Sequence, residues 1–436
     1  AGLRGYDALL VSIANDAKVN EGAGLPPSRG GSLVAQGVYT RIRRRLDARD
    51  ARSKPSTAQY NTCLAALALV SPEDIASDLC MKHMRSLLDN MRRRGVSANA
   101  STLNAALAVC SRHRVGHEAL EVIDTMQQRG VAPNAVSYTR AAAAFRPRPR
   151  AELRSNFASY ADGSEYGALP YGADPDDHAS IDRSRSVAVE RLKGLATSIM
   201  MRASNGPAGK SGDGLRAAMA DTIAVVVEVL IENEAFEEAG TVAKRMLHQK
   251  GPPPHPSLVR VGMVAAALDP ARSPVESVGE FVRGVEAVAE SAKDGLLSDA
   301  AMCKAFNSML ETLLDAERPE VAIALVDHHV LRPNPSAGTG TTDADSDSDS
   351  DASSPSNARP VDVEVVPNAH SYNLAIRAYA DFGDCYEALS VLETMRTRDV
   401  APNKDTHEVT MSVIRQRDEE ELEVQSSGAV GFGYEK

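Results

Sequence analysis

Between Ala100 and Asn134 the apolar positions fall into two runs, each spaced like one side of a helix, and the same pattern returns between Ala369 and Asn403. Aligned without a gap, ASTLNAALAVCSRHRVGHEALEVIDTMQQRGVAPN and AHSYNLAIRAYADFGDCYEALSVLETMRTRDVAPN share 14 of 35 positions. Asn104/Asn373 and Ala106/Ala375 match in the first half. Glu118, Ala119, Leu120, Val122, Thr125 and Met126 are matched within Glu387 to Met395 in the second. Each stretch is expected to be a helical hairpin, with Val115-Gly116 and Gly383-Asp384 as turns, Gly130 just past the second helix, and a closing proline that cannot continue it. A fixed period means stacked pairs, because neither helix can bury its apolar face alone.

These residues resemble pentatricopeptide repeats: an aromatic-Asn start, an E-A-L second helix with a late Met, and a G-hydrophobic-X-P-Asn end. The resemblance implies an all-α fold, a superhelical solenoid of stacked antiparallel helix pairs that binds single-stranded RNA at about one base per repeat. It assigns base reading to the fifth residue of the first helix and the last residue of the repeat. Those positions hold Asn61, Asn104, Thr139, Asn307 and Asn373, and then Asn99, Asn134, Asn368 and Asn403. In the family an Asn/Asn pair goes with pyrimidines, so a pyrimidine-rich strand is the expected partner. From the residues alone, Asn is a poor helix former, and an apolar first helix that keeps one either bonds its amide internally or offers it outward. An Asn after Pro at a helix entrance is equally a favoured cap.

Taken in order, the chain divides into N-terminal units at 3–134, an interrupted unit at 135–219 with a polar insertion, degenerate units at 220–334, an acidic insertion at 335–366, a unit and trailing helix at 369–416, and an acidic, Gly-rich tail at 417–436. Within these, a second helix is expected from about Ser32 to Asp47 and another from Ser186 to Arg202. Asp269-Pro270 is expected to cut a first helix. Arg332-Pro333-Asn334 and Val366-Pro367-Asn368 compete as the end of the seventh unit. Ala224 and Arg260 hold the reading position of the fifth and sixth units, where neither supplies an amide. Thr341 to Ser356, with five Asp alternating with Ser or Ala, is too polar to bury a core and is expected to be disordered, with Ser346 and Ser348 placed as acid-directed phosphorylation sites.

Composition refines the picture. A hydrophobic fraction of 43% with 4% aromatics requires a core of Ala, Val, Leu and Met, as in closely packed helices. No apolar run approaches the ~20 residues of a membrane span, so no membrane insertion is expected. Five cysteines without CxxC pairing are expected to be reduced core residues in an intracellular compartment. The net charge of −11 opposes binding to phosphates until it is located: 335–366 carries −6 and 417–423 carries −4, leaving −1 for the rest. Bases cluster at Arg41 to Lys54, Lys82 to Arg94 and Arg140 to Arg154.

Other chemistry finds little support. Gly209-Lys210-Ser211 has no glycine at Ser204 and no preceding strand, so it is not a phosphate loop. His113/His117 and His328-His329 lack companion ligands for a metal, and no nucleophile is paired with a base. No enzyme activity, cofactor or metal is expected. The chain is read as an RNA-binding protein of mitochondrion or plastid, acting in transcript processing, stability or translation, with any targeting peptide lying ahead of Ala1. Protein partners are the alternative, as in a scaffold subunit of an organellar ribosome or respiratory assembly. A further alternative is the recognition arm of a processing nuclease whose catalytic domain is not in this sequence.

Overall fold

The computed structural model describes residues 3–22, 29–47, 55–147, 178–204, 210–247, 256–271, 273–291, 299–331 and 367–428. The acidic insertion at Thr341 to Ser356, Asn334 and the polar segment after Arg146-Pro147 lie outside them. Every regular element among the described residues is a helix. The chain forms two compact units, residues 1–242 and 243–436.

In the first unit, α1 (Leu3–Gly22), α3 (Thr57–Ala68), α5 (Ala100–Arg112), α7 (Ala135–Ala143) and α9 (Lys210–Glu232) pack side by side as one layer. The second layer is α2 (Arg29–Asp47), α4 (Ser77–Arg93), α6 (Gly116–Gln128) and α8 (His178–Ser204), each lying on the first helix of its own pair and on that of the next. α10 (Phe236–Leu247) follows at the division between the units. In the second unit, α11 (Pro256–Ala267), α13 (Asp299–Asp315), α15 (Ala369–Phe382) and α17 (Lys404–Gly428) form the row. α14 (Pro319–Val326), which widens into a π turn at Asp327–Leu331, and α16 (Cys385–Thr397) pack against it in the same alternation, while α12 (Pro274–Ser291) packs on α11 and α14. Each unit is thus a solenoid of stacked antiparallel helix pairs. Its core is aliphatic and small, built from residues such as Leu64, Leu67, Leu103, Leu107 and Met126, with Tyr60 and Tyr372 as the largest fully buried side chains.

The late methionine of α4, α6 and α16 has a geometric reason. After α4, α6 and α16 the chain turns through a left-handed residue, Gly95 (φ 62°), Gly130 (φ 68°) or Asp399 (φ 58°). The next valine N–H then reaches back to the methionine carbonyl: Val96 to Met91 at 3.0 Å, Val131 to Met126 at 2.9 Å and Val400 to Met395 at 3.1 Å. This is the Schellman closure, whose hydrophobic contact wants an apolar residue at both ends. First helices close in the same way through Arg114, Glu234, Glu317 and Gly383.

Several boundaries differ from the sequence expectations. The turn of the third pair is Arg114-Val115, and Gly116 is the first residue of α6, where a Cβ would meet the Phe145 ring at 2.5 Å. Asp269-Pro270 does not cut a first helix: α11 has already ended at Ala267, and the pair lies in the turn to α12. α8 starts at His178 and α17 continues through the acidic run to Gly428, both longer than their apolar pattern indicated.

Candidate nucleic-acid interface

The first helices carry one arrangement four times, twice in each unit. Asn99, Asn134, Asn368 and Asn403 sit just before α5, α7, α15 and α17, the first three in extended backbone. Each accepts through its Oδ1 the N–H of the third helical residue: Thr102 at 2.9 Å, Ser137 at 2.9 Å, Ser371 at 3.0 Å and Thr406 at 2.8 Å. The hydroxyl of that third residue accepts the N–H of the Asn in return, at 3.3, 3.1, 3.1 and 3.1 Å. All four are reciprocal capping boxes, which satisfy two orphan donors at each helix start.

The same hydroxyl reaches the preceding first helix. Thr102 donates to Asn61 Oδ1 at 2.7 Å, Ser137 to Asn104 at 2.7 Å, Ser371 to Asn307 at 2.8 Å and Thr406 to Asn373 at 2.7 Å. Opening and closing asparagines of one repeat therefore meet at a single hydroxyl of the next. Asn61, Asn104, Asn307 and Asn373 are bonded through side chains of the following pair rather than turned away from it. Asn307 and Asn373 are buried, and their Nδ2 atoms donate to Asn368 and Asn403 at 3.2 and 3.3 Å. Asn61 and Asn104 are half-buried, and their Nδ2 atoms make no bond to any described residue. The closing asparagines are exposed.

Thr139 departs from the pattern, because its hydroxyl donates to Thr222 of α9 at 3.5 Å while Thr222 donates to its own helix at Ala218. Ala224, two residues beyond Thr222, is buried and supplies no polar atom. The hydroxyl residues Thr102, Ser137, Ser371 and Thr406 are absent from the sequence expectations, yet their signal is present: Asn-X-X-Ser/Thr occurs at each of the four helix starts.

Ion pairs occur in both layers, with Arg92–Asp89 at 3.1 Å and Lys244–Glu280 at 3.5 Å among those of the second. On or beside the first helices, bases are matched by acids: Arg146 with Glu228 and Glu232 at 3.9 and 3.4 Å, His370 with Glu311 at 3.0 Å, and Arg377 with Asp315 at 3.1 Å. Burial pushes the Glu232 carboxyl up and lowers the Arg140 guanidinium, which donates to the Asn104 carbonyl at 2.6 Å. Of the basic clusters read from the sequence, the first two reach the last turns of second helices, at Arg44 and Arg45 and at Arg92 and Arg93, whereas Arg140 of the third lies on the first helix α7; the last turns of α10 and α16 add Lys244, Arg245 and Arg396. Those turns lead into the next first helix, so the Arg92–Arg93 end of α4 stands six to seven residues ahead of Asn99. Cations there also offset the negative end of the helix dipole.

Two sequence profiles match the chain. The Pentatricopeptide repeat domain matches residues 86–140, and Pentatricopeptide repeat-containing protein matches 362–425. The chain carries pentatricopeptide repeats. No curated protein matches it. Among solved structures it is similar to the pentatricopeptide repeat protein PPR10 in complex with an 18-nt psaJ RNA element, at 16% identity over 94% of this chain and 54% of that one, TM-score 0.31. The pentatricopeptide repeat protein PPR10 from maize is matched at 16% identity over 88% of this chain and 50% of that one, TM-score 0.25. The chain spans about half the length of these structures.

Proposed function

We propose that this chain binds single-stranded RNA through its first-helix layer, reading about one base per repeat with the paired asparagines. One observation carries the reading: an opening and a closing Asn are held together at the same register in four repeats, with amide donors left over at Asn61 and Asn104. An amide held by its oxygen presents an N–H donor, which suits the carbonyl acceptors of pyrimidines, so a pyrimidine-rich strand is the favoured ligand. The basic last turns of α2 and α4 supply charge for the phosphates without carrying sequence information. In keeping with the family, the setting proposed is a mitochondrion or plastid, and the role is transcript processing, stability or translation by binding rather than by catalysis.

The test is a filter-binding titration with a pyrimidine-rich strand. Replacing Asn61 and Asn104 together by Ala is expected to weaken binding by a few kcal/mol at most, taking ~1–3 kcal/mol per good base contact from the DNA case. Equal affinity of the double variant for that strand sinks the assignment. A second reading, a protein-binding platform, is favoured by Ala224 and Arg260, which leave the fifth and sixth repeats without an amide at the reading position.

A further inference from the structure

We infer that the hydroxyl residues Thr102, Ser137, Ser371 and Thr406 are positioning residues that set which edge of the reading asparagine faces the base. This rests on the RNA-reading proposal above and adds a determinant from the neighbouring repeat. Each hydroxyl has one proton and two carbonyl oxygens within reach, that of the reading Asn and that of the capping Asn. The reading Asn is the nearer in all four clusters: 2.7 against 2.9 Å, 2.7 against 2.9 Å, 2.8 against 3.2 Å and 2.7 against 2.9 Å. The capping oxygen is already engaged by a backbone N–H, and the hydroxyl oxygen already receives one from the capping residue. The proton therefore goes to the reading Asn, whose Oδ1 is held against the next helix; the NH₂ is left without a bond at Asn61 and Asn104, and at Asn307 and Asn373 it donates to the capping Asn368 and Asn403. An amide free to flip presents a donor or an acceptor equally; one held this way is a donor.

The chain itself carries a control. Every reading position with a polar amide or hydroxyl from the second repeat onward meets a hydroxyl two residues before the next reading position: Asn61 with Thr102, Asn104 with Ser137, Thr139 with Thr222, Asn307 with Ser371 and Asn373 with Thr406. Where the reading position is Ala224 or Arg260, the residues at the corresponding register are Leu258 and Ala305. Hydroxyls needed only to start helices would show no such correlation, because a helix start needs its cap whatever the previous repeat reads. Asp7 lies outside the rule, since it receives the Thr62 hydroxyl at 2.6 Å while the residue two before Asn61 is Gln59.

The experiment selects RNA from a randomised single-stranded pool with the whole chain and with Thr102→Val, Thr102→Ser and Ser137→Ala. Base preference is then scored at each position of the recovered strands. Thr102→Val is expected to lose preference at one nucleotide, from roughly tenfold or more down to within about twofold of no preference. Ser137→Ala is expected to do so at the adjacent nucleotide, and Thr102→Ser to keep the wild-type pattern. A purely structural role lowers melting temperature and weakens binding evenly, leaving every preference in place, and that result overturns the inference. If wild-type protein recovers no preferred sequence, the RNA reading itself fails, a separate outcome. Should Thr102→Val not fold, Ser371→Ala and Thr406→Val carry the same test in the second unit.

Discussion

Asn99 shows how much one side chain does in this protein. Its carbonyl caps α5, its backbone N–H is capped in return by Thr102, and the same Thr102 hydroxyl holds Asn61 of the previous repeat. Losing a cap costs ~1 kcal/mol, so Asn99→Ala is expected to lower stability by about that amount, read as a small shift in the urea midpoint. The cysteines make the opposite case. Cys63, Cys80, Cys110, Cys303 and Cys385 are all buried, and burial pushes the thiols of Cys63 and Cys80 up to about 12 from 9.0 and raises that of Cys110 as well. Since all five are buried from the reagent, none is expected to be alkylated by iodoacetamide at pH 8 until the chain is unfolded, as mass spectrometry would show. The sign of the pH effect follows. Cys63 and Cys80 keep their protons in the folded chain and release them in the unfolded one, so the stability linked to them is fully present below pH 9 and falls as pH rises towards 12. Loss of stability between pH 7 and 9 must have another source.

At the scale of elements, glycines report how closely the helices approach. On α11 a Cβ at Gly262 would lie 2.0 Å from Cζ of Phe281, a buried ring of α12. Gly262→Ala therefore forces the pair apart and is expected to cost ~1–3 kcal/mol despite the better helix propensity of Ala. Gly240 on α10 has nothing within 4 Å, so Gly240→Ala is expected to stabilise by up to ~1 kcal/mol. Thermal melts of the two variants should move in opposite directions. The pairs with clean repeats were readable from sequence, because α5, α6, α15 and α16 combine an apolar spacing, a terminal signal and a second copy. The α11–α12 pair was not, since Asp269-Pro270 carries a breaker signal that fits a broken helix as well as a turn. The left-handed closure at Asp399, where the sister repeat has Gly130, was equally hidden, because the backbone tolerates Asp there at a cost. The proposed reading positions could be placed by register alone. The hydroxyls joining them leave only the local signal Asn-X-X-Ser/Thr, which marks a helix start; their second role was hidden, because the asparagine each one reaches lies in the preceding repeat, 33 to 64 residues away.

For the molecule as a whole, charge separates the two functional readings. Of the −11, nearly all comes from 335–366 and 417–423, while bases repeat at the ends of α2, α4, α10 and α16. If those bases contact phosphates, log affinity for RNA falls with log salt at a slope near 0.7 per contact. Five contacts then give ~3.5, roughly a hundredfold loss for a fourfold rise in salt. Removing the acids should raise affinity at low salt, and the two groups need different treatment. Residues 335–366 can be deleted, whereas Asp418, Glu419, Glu420, Glu421 and Glu423 lie within α17 and are better changed to their amides, which keeps the helix. A protein-binding platform has no reason to respond to either change with tighter RNA binding. Detectable, salt-steep binding that strengthens when both acidic groups are removed supports the RNA reading. Absence of binding at low salt even in that variant leaves the array as a surface for protein partners.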